Sequence, residues 1–256
     1  MPNISINSLP ADGLVLLPST HPAFAAGLAP ARALEGDALL PYAVLLHNTT
    51  EKEVLAYTVV WNCVDSTGTT VVHHATYFDF QSLRGILPHQ KRIVSIAPGL
   101  NTSFRADAGF KRQVAEFATF YSKQSSITVI LDAVVFTDGT ALGEDTQGWI
   151  PRLKARLDAE RDIAADMVQI ASADLRRFLD EKKSRAISLL PAMAPRNSAG
   201  MSVAANNSDY RTGYTLMQGY FAAQMLERLD GGITAEELLT SVQKILTSKK
   251  YPDIHR

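Results

Sequence analysis

Histidine and aspartate side chains between residues 73 and 89 offer the kinds of ligand that a transition metal binds. His73 and His74 are neighbours in a predicted strand, so they point to opposite faces and cannot both reach one ion. His73 shares a face with Asp79, and His89 lies in the following loop. A zinc site needs three or four convergent ligands. One hypothesis is therefore a metal-dependent hydrolase that uses His73, Asp79 and His89; the simpler interpretation is surface histidines on a sheet.

Nucleophilic catalysis has less support in the sequence. The single cysteine, Cys63, falls beside Trp61 on the apolar side of a predicted strand, and a thiol buried among apolar groups has a raised pKa and is unreactive. Asp132 interrupts an apolar run, which an outward-facing position or a bond to a turn backbone explains. The sequence has no Gly-x-Ser-x-Gly motif and no glycine-rich phosphate-binding loop. We predict no catalytic residue, no cofactor and no bound metal, and we do not expect an enzyme.

An aromatic and methionine-rich stripe in the C-terminal part is the best candidate for an interaction surface. Such a composition is enriched at protein interfaces. An apolar stripe on a helix is also what packing against neighbouring helices requires, and we favour that interpretation. The stripe consists of Tyr210, Tyr214, Met217, Tyr220, Phe221 and Met225.

Composition narrows the classes of partner. The chain has 256 residues, with 25 Lys and Arg against 26 Asp and Glu, so its formal net charge is −1. Nucleic-acid binding needs a basic excess, so we expect no nucleic-acid partner. The first basic residue is Arg32, and the sequence lacks both the features of a signal peptide and a run of ~20 apolar residues. We expect a soluble protein without a membrane span, cytoplasmic unless Met1 is not the native start of the chain.

The elements that must position these residues are strands in the first half. Residues 1–38 predict an irregular lead-in with one short strand at 14–17, and residues 107–123 have the apolar spacing of an inserted helix. Asp138-Gly139 is a strong hairpin signal. Short strands divided by turns favour an antiparallel sandwich as a domain over residues 1–147. The predicted strands are 39–47, 54–64, 69–80, 92–97 and 127–137, and in 54–64 the alternation indicates a half-buried strand.

Two segments carry a resemblance to a known group of domains. The first, residues 44–101, contains the alternating Tyr57-Thr58-Val59-Val60-Trp61, the turn Asp65-Ser66-Thr67-Gly68 and the later Pro98-Gly99. The second is Val134-Val135-Phe136-Thr137-Asp138-Gly139-Thr140. This half of the chain resembles the Ig-like or fibronectin-like β-sandwich modules of bacterial proteins of unknown role. The resemblance implies a fold and no activity, since that fold hosts many functions, and the cysteine pair of antibody domains is absent.

The second half, residues 148–256, changes to a helical period. We predict one long amphipathic helix over 152–185, a mobile connection over 186–207, and a helix that Ser208 caps and Gly231-Gly232 ends. Thr234 and Glu237 form a capping box for a third helix. We expect the later helices to fold back on the long one as a small bundle.

The sequence as a whole predicts an α+β protein, an Ig-like β-sandwich followed by amphipathic helices. Our leading hypothesis is a non-enzymatic binding or scaffolding module, because no convergent polar constellation is evident. A helix-mediated homo-oligomer is another hypothesis besides the metal-dependent hydrolase. The partner would be another protein, or a second copy of this chain bound through the helical region.

Overall fold

A computed structural model describes most of the chain. The described residues are 2–9, 12–27, 37–78, 85–95, 108–192, 194–196, 201, 204–205, 208–248 and 251–255. The chain divides into a sheet unit, Met1–Gln147 with His255–Arg256, and a helical unit, Gly148–Ile254. The predicted domains were residues 1–147 and 148–256. His255 lies in the sheet unit, where its carbonyl accepts a hydrogen bond from the amide of Ala141 (2.8 Å).

The sheet unit contains eight described strands in two sheets. In the first sheet the strand order is β1-β7-β4-β5, with β8 also paired to β7, and in the second it is β2-β3-β6. Two helices, α1 (Pro22–Gly27) and α2 (Ala108–Ser122), and a 3-10 segment (Asp37–Tyr42) lie between strands. The strands are β1 (Asn3–Asn7), β2 (Leu14–Pro18), β3 (Val44–Asn48), β4 (Val54–Val64), β5 (Thr70–Phe78), β6 (Lys91–Val94), β7 (Ser126–Phe136) and β8 (Ala141–Leu142).

The N-terminal segment departs most from the sequence-based prediction. The short strand predicted at 14–17 is confirmed as β2 (Leu14–Pro18), but the rest of the described lead-in, expected to be irregular, also forms β1 and α1. β1 pairs with β7 in parallel, with Ile4 opposite Ile127 and Ile6 opposite Val129, so the prediction of a wholly antiparallel arrangement is wrong. Alternation explains β1 itself, because Ile4 and Ile6 are partly buried while the intervening polar residues are exposed.

The centre of the first sheet is β4, which pairs antiparallel with both β5 and β7. The prediction of a half-buried strand is wrong, since the strand is buried on both faces from Val54 to Trp61. Thr58 is fully buried, and its hydroxyl shares a hydrogen bond with that of Thr76 on β5 (3.1 Å). That bond satisfies a polar group which burial would otherwise destabilise.

One hydrophobic cluster takes residues from both sheets. Trp61 is fully buried there, and its indole Nε1 donates to the backbone carbonyl of Tyr42 (2.9 Å). The predicted helix over 107–123 is confirmed as α2, and its Val114 and Tyr121 join the cluster. The cluster also includes Leu14, Leu16, Val44, Leu46, Tyr57, Val59, Cys63, Ile127, Val129 and Phe136.

The described residues of the helical unit form four long helices where the sequence predicted three. They are α3 (Trp149–Met167), α4 (Leu175–Ile187), α5 (Tyr210–Asp230) and α6 (Ala235–Ser248). The single long helix over 152–185 is wrong, because the backbone is extended at Ala171 (φ −61°, ψ 141°) and a short 3-10 turn, Ser172–Asp174, follows. Ala171, which lies inside the predicted long helix, is exposed. The break lets the buried Leu175 and Leu179 join Met167 in one core.

Two of the predicted helix boundaries hold and one shifts. The cap of α5 is Asp209 rather than Ser208, since the Asp209 carboxylate accepts from the amide of Thr212 (2.9 Å). The capping box at α6 is confirmed: the Glu237 carboxylate accepts from the Thr234 amide (2.9 Å), and the Thr234 hydroxyl accepts from the Glu237 amide (3.2 Å). α5 ends at Gly231-Gly232 as predicted.

The later helices pack on the earlier ones within the helical unit, as predicted. α5 contacts both α3 and α4, and the four helices share one hydrophobic cluster. The predicted mobile connection 186–207 lies partly outside the described residues, and within it Met201 and Ala205 are buried in that cluster. None of the described helices has the length and apolar composition that a membrane crossing demands.

Candidate functional site

An apolar cavity of about 680 Å³ opens in the sheet unit beside β1. Its walls come from β1, the end of β2, α1 and the stretch that leads into β3, so residues far apart in sequence build it. No charged side chain occurs among the described residues that line it. The lining residues are Pro2, Asn3, Ile4, Ile6, Pro18, Ser19, Thr20, Phe24, Ala25, Leu40, Pro41, Tyr42, Ala43 and Val44.

Local sequence explains why the chain turns around this cavity. Pro18 ends β2, and its carbonyl accepts from the amide of His21 (2.9 Å), which closes the turn before α1. The Ser19 hydroxyl donates to the carbonyl of Pro41 (3.1 Å) and so ties that turn to the 3-10 segment. Phe24 of α1 is buried in a separate small cluster with Leu45 of β3. These contacts fix the turn after β2, the 3-10 segment and α1, which line the cavity.

The cavity can bind by shape and apolar contact rather than by charge. Its volume lies within the ~300–1,000 Å³ of small-molecule sites, which are mostly apolar with a few polar groups. Asn3, Ser19 and Thr20 supply the polar side chains in the lining. Burial raises the pKa of Tyr42, so its phenol stays neutral under all ordinary conditions. A charged ligand would lose its hydration there without gaining an ionic partner among the described lining residues.

An aromatic cluster connects the cavity wall to the edge strand β5. The ring of Tyr42 stacks on Tyr121 of α2, with ring centroids 5.1 Å apart. The Tyr121 hydroxyl lies 3.1 Å from Nδ1 of His73, whose ring stacks on Phe120 (4.9 Å). Burial lowers the pKa of His73, and the nearby His74 lowers it further. His73 therefore serves as a neutral packing and hydrogen-bonding group.

The residues proposed as metal ligands do not form a described site. Asp79 lies outside the described residues. His73 is engaged by the aromatic cluster, and Nε2 of His89 lies 3.0 Å from a carboxylate oxygen of Glu51. No group of three or more His, Cys, Asp or Glu side chains that could hold a metal ion is present in the described parts of the chain.

Cys63 and Asp132 both have structural surroundings. Cys63 is fully buried, and burial raises the pKa of its thiol to about 11, as expected of an unreactive core residue. Asp132 is also buried; its Oδ1 accepts from the amide (2.9 Å) and the hydroxyl (2.7 Å) of Thr146. The carboxylate thus fixes the turn after β8, the second of the two explanations that the sequence offered.

The predicted interaction stripe on α5 is divided between core and contact positions. Met217 and Phe221 are buried in the core of the helical unit. Tyr220 and Met225 are partly buried and pack against that core. Tyr210 is the most exposed of the six, at 39%.

Tyrosines of this stripe meet aspartates of α3 in a ladder that sequence reasoning missed. The Tyr210 hydroxyl donates to Asp158 (2.7 Å), and the Tyr214 hydroxyl donates to Asp162 (2.9 Å). Burial, with a smaller effect of Asp158, raises the pKa of Tyr210 to about 12. Lys154 pairs with the buried Asp158 (3.2 Å) and balances its charge. The tyrosines on α5 and the aspartates on α3 are each four residues apart, and this matched spacing is the sequence pattern that could have revealed the ladder. The two hydrogen bonds fix the register of α3 against α5.

Comparisons with protein-family models, with curated proteins and with solved structures each gave no match.

Proposed function

We propose that the sheet unit is a non-enzymatic binding module whose cavity takes an uncharged, mostly apolar small molecule. The observation that carries the proposal is the cavity of about 680 Å³ with no charge among its described lining residues. A well-formed apolar pocket with a few polar groups is the usual form of a small-molecule site. Asn3, Ser19 and Thr20 would orient a ligand that carries a hydroxyl or carbonyl group.

The proposal includes a finer description of the fold. The two sheets would be the layers of an Ig-like β-sandwich, which their common hydrophobic cluster supports. In this arrangement β1 and β8 share the same edge of β7, with β1 beside residues 126–130 and β8 beside 134–135. The cavity would then lie where the N-terminal strand closes the end of the sandwich. Metal-dependent hydrolysis by His73, Asp79 and His89 stays a prediction of the sequence, as does assembly through the helical region.

A pair of matched probes tests the binding proposal. Decanol and decanoate share an alkyl chain and differ in the charge of the head group, and binding is measured by calorimetry and by amide chemical shifts. We expect decanol to bind and to shift the amides of residues 3–6, 40 and 42–44, with decanoate at least about tenfold weaker, because a buried unpaired charge is costly. Equal binding of both probes, or shifts elsewhere, would contradict the proposal.

A blocking variant adds a structural control. Ala25 lines the cavity and is exposed on α1, so Ala25→Trp fills the mouth without displacing buried groups. Ala173→Trp makes the same change at an exposed alanine of the helical unit. We expect the first variant to lose decanol binding and the second to keep it. Retention of binding by both variants would place the ligand outside this cavity.

A further inference from the structure

The strand β5 forms a long edge of the first sheet that carries no Lys, Arg, Asp or Glu. It has nine residues and pairs with β4 on one side, and over residues 70–76 no strand in the described part of the chain pairs with its other side. Thr70, Val71, Val72, His74 and Thr76 are exposed. An edge of this kind presents a row of backbone N–H and C=O groups to any other extended chain.

The other edges of the two sheets carry protection that β5 lacks. Edge strands are commonly guarded by shortness, by charged side chains or by proline. β1 and β2 have five residues each and β2 ends in Pro18, while β6 has four residues and begins with Lys91 and Arg92. β5 has nearly twice that length and contains no Lys, Arg, Asp, Glu, Pro or Gly. The contrast within one unit indicates that pairing at this edge is used rather than avoided.

The exposed side chains of β5 add apolar surface on both faces of the sheet. Val71 and Val72 are 37% and 46% exposed, and as neighbours in a strand they point to opposite faces. A strand that pairs here would cover both valines as well as the backbone groups. The pairing strand must itself be extended and rich in β-branched residues. It must also carry no charged side chain, because an unpaired charge beside these residues would be unfavourable.

We propose that β5 pairs antiparallel with β5 of a second copy of this chain. A two-fold axis perpendicular to the sheet brings the strand opposite itself, so both sides supply the same residues and no Lys, Arg, Asp or Glu side chain of the strand enters the interface. The two first sheets then become one continuous sheet across the dimer. This inference uses neither the cavity nor its ligand, and it places the interface on the sheet unit rather than on the helices.

Sedimentation of the intact chain over a range of concentrations tests the proposal. We expect a reversible dimer with micromolar affinity, as befits a small interface. Val72→Lys introduces the charge that guards other edges and should weaken the dimer at least about tenfold. Asn7→Lys adds the same positive charge to an exposed position of β1 on the opposite edge and should leave the dimer unchanged. Circular dichroism confirms that both variants are folded.

Hydrogen exchange provides a readout that needs no mutation. Amides of β5 that face away from β4 should exchange more slowly as the protein concentration rises, while those of β1 should not change. A chain that stays monomeric at millimolar concentration overturns the proposal. A dimer that Val72→Lys leaves intact, or one without concentration-dependent protection of β5, does so as well, because the copies would then meet elsewhere.

Discussion

Gly219 lies where α5 packs tightly against α4, so replacing it by alanine tests the packing of the helical unit directly. A Cβ at this position would overlap the Cβ of Ala186 and lie 2.9 Å from Sδ of Met201. Non-bonded carbon atoms rest at ~3.5–4.0 Å. The Ala186 methyl is fixed to its helix and cannot rotate away, so α4 and α5 must separate to admit the new methyl group.

The expected effect follows from two opposing contributions. Alanine is a better helix former than glycine by ~1 kcal/mol. Overpacking a rigid contact costs ~1–3 kcal/mol, and the upper end applies where two backbones must move apart. We therefore expect Gly219→Ala to lower the free energy of unfolding of the helical unit by ~2 kcal/mol. Urea denaturation, followed by the helical circular dichroism signal, measures this change.

Gly213 supplies a matched control on the same helix. A Cβ there would lie 3.3 Å from the carbonyl oxygen of Ala205 and 3.8 Å from the Cβ of Ala155, so Gly213→Ala should range from neutral to ~1 kcal/mol more stable. In a double-mutant cycle, Ala186→Gly should recover part of the loss caused by Gly219→Ala. A Gly219→Ala chain as stable as the unmodified one would show that α4 and α5 do not meet at this residue, and the packing described above would be wrong.

Two further predictions concern the sheet unit. Trp61 is fully buried and donates to the Tyr42 carbonyl, so Trp61→Ala should cost ~3–5 kcal/mol in urea melts and Trp61→Phe less; a loss below ~1 kcal/mol for alanine would place Trp61 outside the core. Because burial lowers the pKa of His73 below its ordinary 6.5, the unfolded chain binds the proton more readily. The free energy of unfolding should then be level above about pH 6.5 and fall as the pH drops toward the folded-state pKa. In His73→Gln this slope should be reduced, and an unchanged slope would assign the effect to other groups.

Local sequence signals predicted the structure correctly where the structure of a segment depends mainly on its own residues. The capping box of Thr234 and Glu237 involves residues three apart, and both of its hydrogen bonds are present. The turn at Asp138-Gly139 joins β7 to β8 as the dipeptide predicted. Helix α2 follows from apolar spacing within its own fifteen residues. In each case the interaction energy arises from neighbours in the chain, so the sequence alone contains the information.

Features that depend on distant segments could not be predicted in the same way. The parallel pairing of β1 with β7 joins residues more than a hundred positions apart, for example Ile4 and Ile127, and nothing in either strand selects that partner. The break at Ala171 has no glycine or proline to mark it. It forms because Leu175 and Leu179 gain burial in a core shared with α5, and this gain exceeds the modest cost of ending a helix.

Two buried polar residues of the sheet unit, Asp132 and Asn48, serve the fold rather than chemistry. Asp132 in an apolar strand has the form of a catalytic carboxylate, yet its oxygens are occupied by Thr146 and the backbone of the turn. Asn48 is also fully buried, and its amide donates to the carbonyls of Lys52 (2.7 Å) and Ile86 (3.1 Å). A buried polar group must be paired to be tolerated, and here the pairing joins loops to strands. The cavity beside β1 is lined instead by residues such as Ile4, Phe24 and Tyr42, which are inconspicuous in sequence because only the folded chain brings them together.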